Sequence, residues 1–233
     1  MRLDRPRLGR AGAAGGGAGR TRLGPGLLVL AAPCIAALFG ALTTAVLPSG
    51  GAIRFDAAVS AHLAPYRVPW LLHAFLWLTT LGTDAALAGM AVTATGFLWI
   101  DRRAELILPL WTAFAGAQAT TWIAKYAIGH ARPVFLDGLA TAISPSFPSA
   151  HASGATATFG FLAYALARNL GPRQRRKVGY WAACLIALVG FSRVFLGVHF
   201  ATDVAGGFLV GGFWFMVGIA LVEWTRASVH EDH

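Results

Sequence analysis

Outside its arginine-rich stretches, the second half of the chain gathers its ionisable and nucleophilic residues into three short groups. These are Lys125 and Arg132 in "KYAIGHARP", Ser149 and His151 in "SFPSAHASGA", and Arg193, His199 and Asp203 in "SRVFLGVHFATD". Together they supply fixed cations, a hydroxyl beside a small-residue helix start, and two imidazoles, one of them four residues from a carboxylate. Phosphoryl transfer uses such parts, because its transition state spreads charge over the equatorial oxygens and catalysis is chiefly positioning and electrostatic stabilisation. Arginine answers those oxygens bidentately. An imidazole whose ring N–H is held by a carboxylate has a more basic second nitrogen. His199 is therefore read as the attacking base, Asp203 as the residue that aims it, and His151 as the acid that protonates the leaving oxygen and later takes a proton from water.

Each group also has a plainer reading. Basic residues at helix ends snorkel to headgroups, a serine before a helix is an ordinary cap, and a His–Asp pair can tie two helices together. Three details weigh against those readings: one of only two lysines stands at 125, Arg193 is six residues before His199, and Gly197 leaves room for a close backbone approach. Lys125 and Arg132 are seven apart, so they share a face if their helix continues that far, with Pro133 ending it. Ser149 is the expected N-cap, with the next backbone N–H groups, including that of Ala150, aimed outward as an anion site. His199 and Asp203, placed on one helix, bring carboxylate and imidazole side by side. No Asp/Glu cluster suited to magnesium accompanies them, so the expectation is no metal and no cofactor, with Lys125, Arg132 and Arg193 supplying the positive charge.

The elements that carry these groups are membrane helices. Of 233 residues, 56% are hydrophobic and 12% charged, with a mean hydropathy of +0.60, which is the composition of a polytopic membrane protein. Charge-poor runs at Gly26–Leu47, Leu81–Ile100, Leu106–Ala124, Ala152–Ala167, Val178–Ser192 and Val204–Val222 give six expected spans. Trp70–Leu81 is shorter and follows two prolines, so it reads as an interfacial helix between the first and second spans. The expected fold is an all-α bundle of six transmembrane helices.

Charge orients it. Arg2, Arg5, Arg7, Arg10, Arg20 and Arg22 precede the first span, Arg102 and Arg103 follow the second, and Arg168, Arg173, Arg175, Arg176 and Lys177 follow the fourth. With six spans all three clusters fall on the cytoplasmic side and both termini lie inside, which puts the chemistry-bearing groups at the outer face of a plasma membrane. A cysteine at Asp137 is then expected to react with an impermeant thiol reagent in intact cells, and one at Gln174 is not. The formal charge of +9 acts on headgroups and not on nucleic acid. Residues 1–25 are expected to be a disordered basic cytoplasmic tail, 26–224 the membrane domain, and 225–233 a short cytoplasmic tail. The first apolar run lacks a convincing cleavage site and reads as a retained helix. Cys34 and Cys184 both fall within expected spans, without metal-ligand spacing or a disulfide.

The order and spacing of the groups resemble the type 2 phosphatidic acid phosphatase superfamily, the membrane lipid phosphate phosphatases. Its signature runs Lys, six residues, Arg-Pro; Pro-Ser-Gly-His; then Ser-Arg, five residues, His, three residues, Asp. Lys125, Arg132 and Pro133 match the first part, Pro148, Ser149 and His151 the second, and Ser192, Arg193, His199 and Asp203 the third, with Ala150 in place of the glycine. The resemblance implies His199 as nucleophile, Asp203 as its partner, His151 as general acid and base, and Lys125, Arg132, Ser149, Ala150 and Arg193 around the phosphate. The expected partners are the bilayer and a lipid phosphate or diphosphate, such as undecaprenyl diphosphate, phosphatidate or phosphatidylglycerophosphate. A phosphotransferase using the same intermediate fits the motifs equally. A transporter would spread its polar residues through the membrane depth, and a silent scaffold would lose motif residues.

Overall fold

The computed structural model describes residues 25–47, 51–133 and 144–231, so the tail before residue 25 and Asp137 lie outside the described residues. The described chain is helical throughout. Eight α-helices follow one another: α1 Pro25–Val46, α2 Ala52–Leu63, α3 Pro69–Thr79, α4 Asp84–Ile100, α5 Ile107–Ile128, α6 Ala150–Ala167, α7 Pro172–Phe195 and α8 Ala201–Glu231.

Local chemistry sets several of the ends. Pro69 and Pro172 open α3 and α7 at the first helical position, where a missing N–H is harmless. Thr83 caps α4, its hydroxyl accepting from the Ala86 N–H at 3.3 Å. Gly129 stops α5 in the left-handed region at φ 67°, its N–H donating to the Lys125 carbonyl. The helix therefore ends at Ile128 and Gly129, before Pro133, and Arg132 does not share a helix with Lys125.

Helices α6 and α8 form the centre, with α5 against both, α7 against α6 and α1 against α8. They approach closely because α8 is bare where it meets α6. A Cβ on Gly207 would strike the Ser149 carbonyl, and one on Gly211 the Ser153 carbonyl. This Gly-x-x-x-Gly spacing lets helix backbones touch. A core of Ala91, Leu110, Ala113, Ala157, Phe161 and Val222 ties α4, α5, α6 and α8 together.

The bundle's outside is apolar. Trp77, Trp99, Ile100, Ile123 and Trp224 are largely exposed, large apolar side chains of the kind that face lipid. By length and apolarity alone, α7 and α8 can cross a membrane, and a third span arises if α3 and α4, bent by 49° at Thr83, count as one. The structure thus shows the all-helical bundle but not six independent apolar spans. Two physical reasons apply: α4, at 17 residues, is short for a crossing on its own, and α5 and α6 turn polar residues inward, with Thr121, Lys125, Ser153 and Thr158 all buried, which lowers their mean hydropathy without exposing them to lipid. Two short helices, α2 and α3, occupy the stretch expected to hold one interfacial helix. Trp70–Leu81 largely coincides with α3, which ends in a 3-10 turn, Thr80–Gly82, leading into α4.

Candidate active site

Four helix ends converge at one end of the bundle: the C-termini of α5 and α7 and the N-termini of α6 and α8. Lys125, only 2% exposed, donates from Nζ to the carbonyls of Pro145 at 2.5 Å and Ser146 at 3.2 Å. Arg132 reaches the same segment, Nε to the Ser144 carbonyl at 2.8 Å and Nη2 to the Ser144 hydroxyl at 3.1 Å. The two cations meet at residues 144–146, reached from a helix and from a loop.

His199 and Asp203 do pair, although not on one helix. Gly197, at φ 69°, turns the chain out of α7, and His199 sits in the connection before Ala201 begins α8. Asp203 is in the first turn of α8, and its Oδ2 accepts the Phe200 N–H at 2.8 Å, the carboxylate half of a capping box. That bond fixes the carboxylate, and His199 Nδ1 lies 3.3 Å from the same oxygen. The other nitrogen, Nε2, lies 3.3 Å from Arg132 Nη1. A guanidinium only donates, so Nε2 is the accepting nitrogen and the ring proton belongs on Nδ1, facing Asp203. Burial pushes the His199 imidazole down to about 4, against the opposing pull of Asp203. It is a neutral base at ordinary pH.

Two residues at the site were not assigned a role from sequence. Ser146 donates its hydroxyl to Asp203 Oδ2 and lies 3.2 Å from His199 Nδ1. His130 places Nδ1 3.3 Å from Asp203 Oδ1. Neither has a helical spacing to the pair; both belong to the connection between α5 and α6.

Ser149 is the N-cap residue of α6 by position, with φ −73° and ψ 117°, yet its hydroxyl makes no capping bond. Its Oγ is buried without a hydrogen-bond partner among the described residues, and so is Arg193 Nε. Such orphans are costly unless a ligand satisfies them, and both suit phosphate oxygens. Arg193 is held by its Nη1, which donates to the Thr79 hydroxyl at 2.8 Å. His151 is wedged against Gly82, where a Cβ would come within 3.1 Å of its ring. The end of α3 and the 3-10 turn after it therefore brace the two residues, Thr79 holding Arg193 and Gly82 backing His151. Ala150, the first residue of α6, is half-buried, and its N–H belongs to the first turn, which lacks intrahelical acceptors.

A third layer holds α8 in register. Asp56 of α2 is buried and accepts from the Thr202 N–H at 3.1 Å and the Thr202 hydroxyl at 2.6 Å. Arg67 donates from Nε to the Phe195 carbonyl at 2.8 Å, satisfying the end of α7. The loop carrying His199 is thus gripped at both ends by the α2–α3 segment.

The match with known proteins covers the same region. A family profile described as "PAP2 superfamily" matches residues 106–227. Phosphatidylglycerophosphatase B of Bacillus subtilis (strain 168) is 31% identical over 176 residues, 75% of this chain and 86% of that protein. Lipid A 1-phosphatase of Rhizobium johnstonii is 34% identical over 215 residues, 80% of each chain. Among solved structures, the transmembrane PAP2-type phosphatidylglycerolphosphate phosphatase from Bacillus subtilis superposes with a TM-score of 0.75 at 28% identity, over 85% of this chain and 96% of that one. LpxE of Aquifex aeolicus shares the fold at a TM-score of 0.54 and 23% identity, over 70% of this chain and 93% of that one. The profile match, the relatives and the motif residues converging on one helix-end cluster establish that the chain belongs to the PAP2 superfamily, the lipid phosphatases that act on phosphate monoester or diphosphate bonds.

Proposed function

We propose that this protein removes the terminal phosphate of a membrane lipid at the outer face of the plasma membrane through a phosphohistidine on His199. The observation that carries the reading is the polarity of His199: Nδ1 faces Asp203 and Nε2 accepts from Arg132. The lone pair that must attack is therefore already on the side of the cations.

In the first step, substrate phosphate takes the place of Nε2 as partner of Arg132, and the Ser149 hydroxyl and Arg193 Nε satisfy its oxygens. Lys125 adds positive charge behind the segment 144–146, and the first-turn N–H groups of α6, including that of Ala150, face the anion. The Nε2 lone pair forms the N–P bond as the bond from phosphorus to the leaving oxygen breaks. His151, protonated once the phosphate anion offsets the Arg193, Arg132 and Lys125 charges around it, gives that proton to the leaving oxygen. Water then attacks phosphorus, His151 takes its proton, the N–P bond breaks, and phosphate leaves with His199 neutral again. Asp203 balances the imidazolium-like charge in both steps.

The favoured substrate is a glycerophospholipid phosphate monoester of the phosphatidylglycerophosphate type. It is supported by the similarity to phosphatidylglycerophosphatase B across most of both chains. Lipid A 1-phosphate, phosphatidate and undecaprenyl diphosphate are the competing substrates. The topology we propose has six crossings, α1 and α4 to α8, with α2 and α3 at the outer interface and both termini inside. It is supported by the basic loops at the end opposite the site: Arg103 donates to the Ala165 carbonyl at 2.6 Å and Arg168 lies 3.6 Å from Glu105, so both arginine clusters lie on one side. The membrane domain spans 26–224 between cytoplasmic tails.

The test is phosphate release from that lipid panel by purified protein, with acid-labile phosphate on the protein measured during turnover. The expected result is fastest release from phosphatidylglycerophosphate, with label on the wild type and none on His199→Ala. Label retained in His199→Ala refutes the nucleophile, and faster release from undecaprenyl diphosphate refutes the substrate preference.

A further inference from the structure

At the end of the bundle opposite the catalytic cluster, α6, α7 and α8 part around a cavity of about 560 Å³. Helix α6 has 18 residues, so at about 1.5 Å per residue the cavity mouth at Arg168 stands roughly 27 Å from the catalytic cluster, close to the hydrocarbon thickness of a bilayer. The cavity is of ligand size, and the catalytic reading leaves it without a role.

Its walls divide by chemistry. Toward the middle of the bundle it is apolar, lined by Gly160 and Ala163 of α6, Ala182 and Ile186 of α7, and Phe215 and Ile219 of α8. The small residues of α6 and α7 form a trough, and the larger ones of α8 close it. At its mouth stand Arg168, Arg175 and Arg226 with the single acid Glu223, and Glu223 already accepts the Tyr164 hydroxyl at 2.9 Å.

The arginines are the second observation. The Arg168 side chain is only 7% exposed, and its nearest acid, Glu105, is 3.6 Å away, beyond hydrogen-bond length. Both its Nη1 and Nη2, and Arg175 Nε, are buried without a hydrogen-bond partner among the described residues. Two guanidinium groups therefore line one mouth with donors to spare. Buried guanidinium N–H groups call for anionic oxygens arranged in a plane or a tripod, which phosphate provides.

We infer that this cavity binds an anionic phospholipid of the inner leaflet, its phosphate held by Arg168 and Arg175 and one acyl chain lying in the trough between α6, α7 and α8. The headgroup region accounts for the unpartnered donors, and the apolar trough accounts for a tail. A free phosphate would use the first and leave the second empty. The inference does not depend on which lipid the catalytic site hydrolyses, only on α6, α7 and α8 reaching both faces of the membrane.

Native mass spectrometry of the full chain in detergent tests it, with titrations of dioleoyl phosphatidylglycerol, dioleoyl phosphatidylcholine and inorganic phosphate. The expected result is one phosphatidylglycerol per chain, with phosphatidylcholine roughly tenfold weaker because its phosphodiester is the same but its choline cation is repelled by Arg168, Arg175 and Arg226, and inorganic phosphate weaker still because it leaves the trough empty. Arg168→Gln with Arg175→Gln weakens phosphatidylglycerol about tenfold and leaves hydrolysis of a short-chain phosphate monoester intact. Ala182→Phe fills the trough while keeping both arginines, and it also weakens binding, so the test stands if the double variant does not fold. Arg193→Gln, at the other end, leaves phosphatidylglycerol binding unchanged. Equal affinity in all variants, or equal affinity for phosphatidylcholine, overturns the site. Inorganic phosphate binding as tightly as phosphatidylglycerol assigns the arginines to a soluble anion and overturns the lipid. Loss of phosphatidylglycerol in Arg193→Gln means the lipid sits in the catalytic cluster instead.

Discussion

Replacing Asp203 with Asn removes one charge and keeps the shape, which makes it the sharpest probe of the histidine. In the native site the carboxylate accepts from the Phe200 N–H at 2.8 Å and from the Ser146 hydroxyl, and it faces His199 Nδ1 and His130 Nδ1 at 3.3 Å each. An amide keeps one acceptor oxygen. If that oxygen stays with Phe200 and His199, which share Oδ2, the NH2 group takes the Oδ1 position, points at His130 Nδ1 and forces it to accept. His199 keeps its Nδ1 proton facing a carbonyl oxygen, but it loses the negative charge that balances the ring as the N–P bond forms. A hydrogen bond to a charged group contributes roughly 1.5–3 kcal/mol, so two imidazole contacts amount to about 3–6 kcal/mol, or roughly a 10²–10⁴-fold loss at about 1.4 kcal/mol per tenfold. The assay is phosphate release from short-chain phosphatidylglycerophosphate in detergent. The fall is expected in kcat with KM nearly constant, because Asp203 faces the histidine and not the phosphate. Far-UV circular dichroism and the melting temperature check that the variant is folded. The pH profile adds an independent readout. His199 must be neutral to attack, so wild-type activity is lost as pH falls through about 4; Asp203 raises that value, so in Asp203→Asn the acid limb moves lower still. A folded variant within threefold of the wild-type rate, or an acid limb that moves upward, refutes the reasoning.

Other variants separate holding the fold from holding the phosphate. Ser149→Ala removes a hydroxyl with no hydrogen-bond partner among the described residues, so the melting temperature is expected to hold while kcat/KM falls about 10–100-fold; a stability loss without a rate loss contradicts the phosphate role. Asp56→Ala strands the buried N–H and hydroxyl of Thr202, with an expected stability loss of about 1–3 kcal/mol and a lowered kcat, since Asp203 is the next residue; an unchanged melting temperature contradicts it. Gly207→Val drives a side chain into the Ser149 carbonyl and is expected to cost about 1–3 kcal/mol or more. Gly212→Ala, where a Cβ meets nothing within 4 Å, is the matched control and leaves activity and melting temperature unchanged or slightly raised.

The residue types of the site were legible because phosphate chemistry demands cations, a carboxylate-backed imidazole and a second imidazole, whatever backbone presents them. The backbone itself was less so. Helical spacing put Lys125 with Arg132, and His199 with Asp203, on shared helices, but Gly129 and Gly197 turn the chain at φ 67° and 69° and leave Arg132 and His199 in connections. The contacts are made all the same, because both loops are clamped by long-range bonds. Those clamps carry no local signal: Ser146 is 57 residues from Asp203, His130 is 73, Thr79 is 114 from Arg193, and Asp56 is 146 from Thr202. Asp56 was hidden for a further reason. A search for charge-free runs passes over "AIRFDAAVSAHL" as a connector, yet it is helix α2, and its one buried acid fastens the first turn of α8. Hydropathy misleads in the opposite direction at α5 and α6, whose inward Thr121, Lys125, Ser153 and Thr158 make them read as less apolar than the lipid-facing surfaces they present. A membrane enzyme needs that polarity in its interior. At α5 and α6 the lowered hydropathy and the site chemistry thus have one cause, whereas α7 and α8 are apolar enough to cross and deliver Arg193 and Asp203 only at their ends.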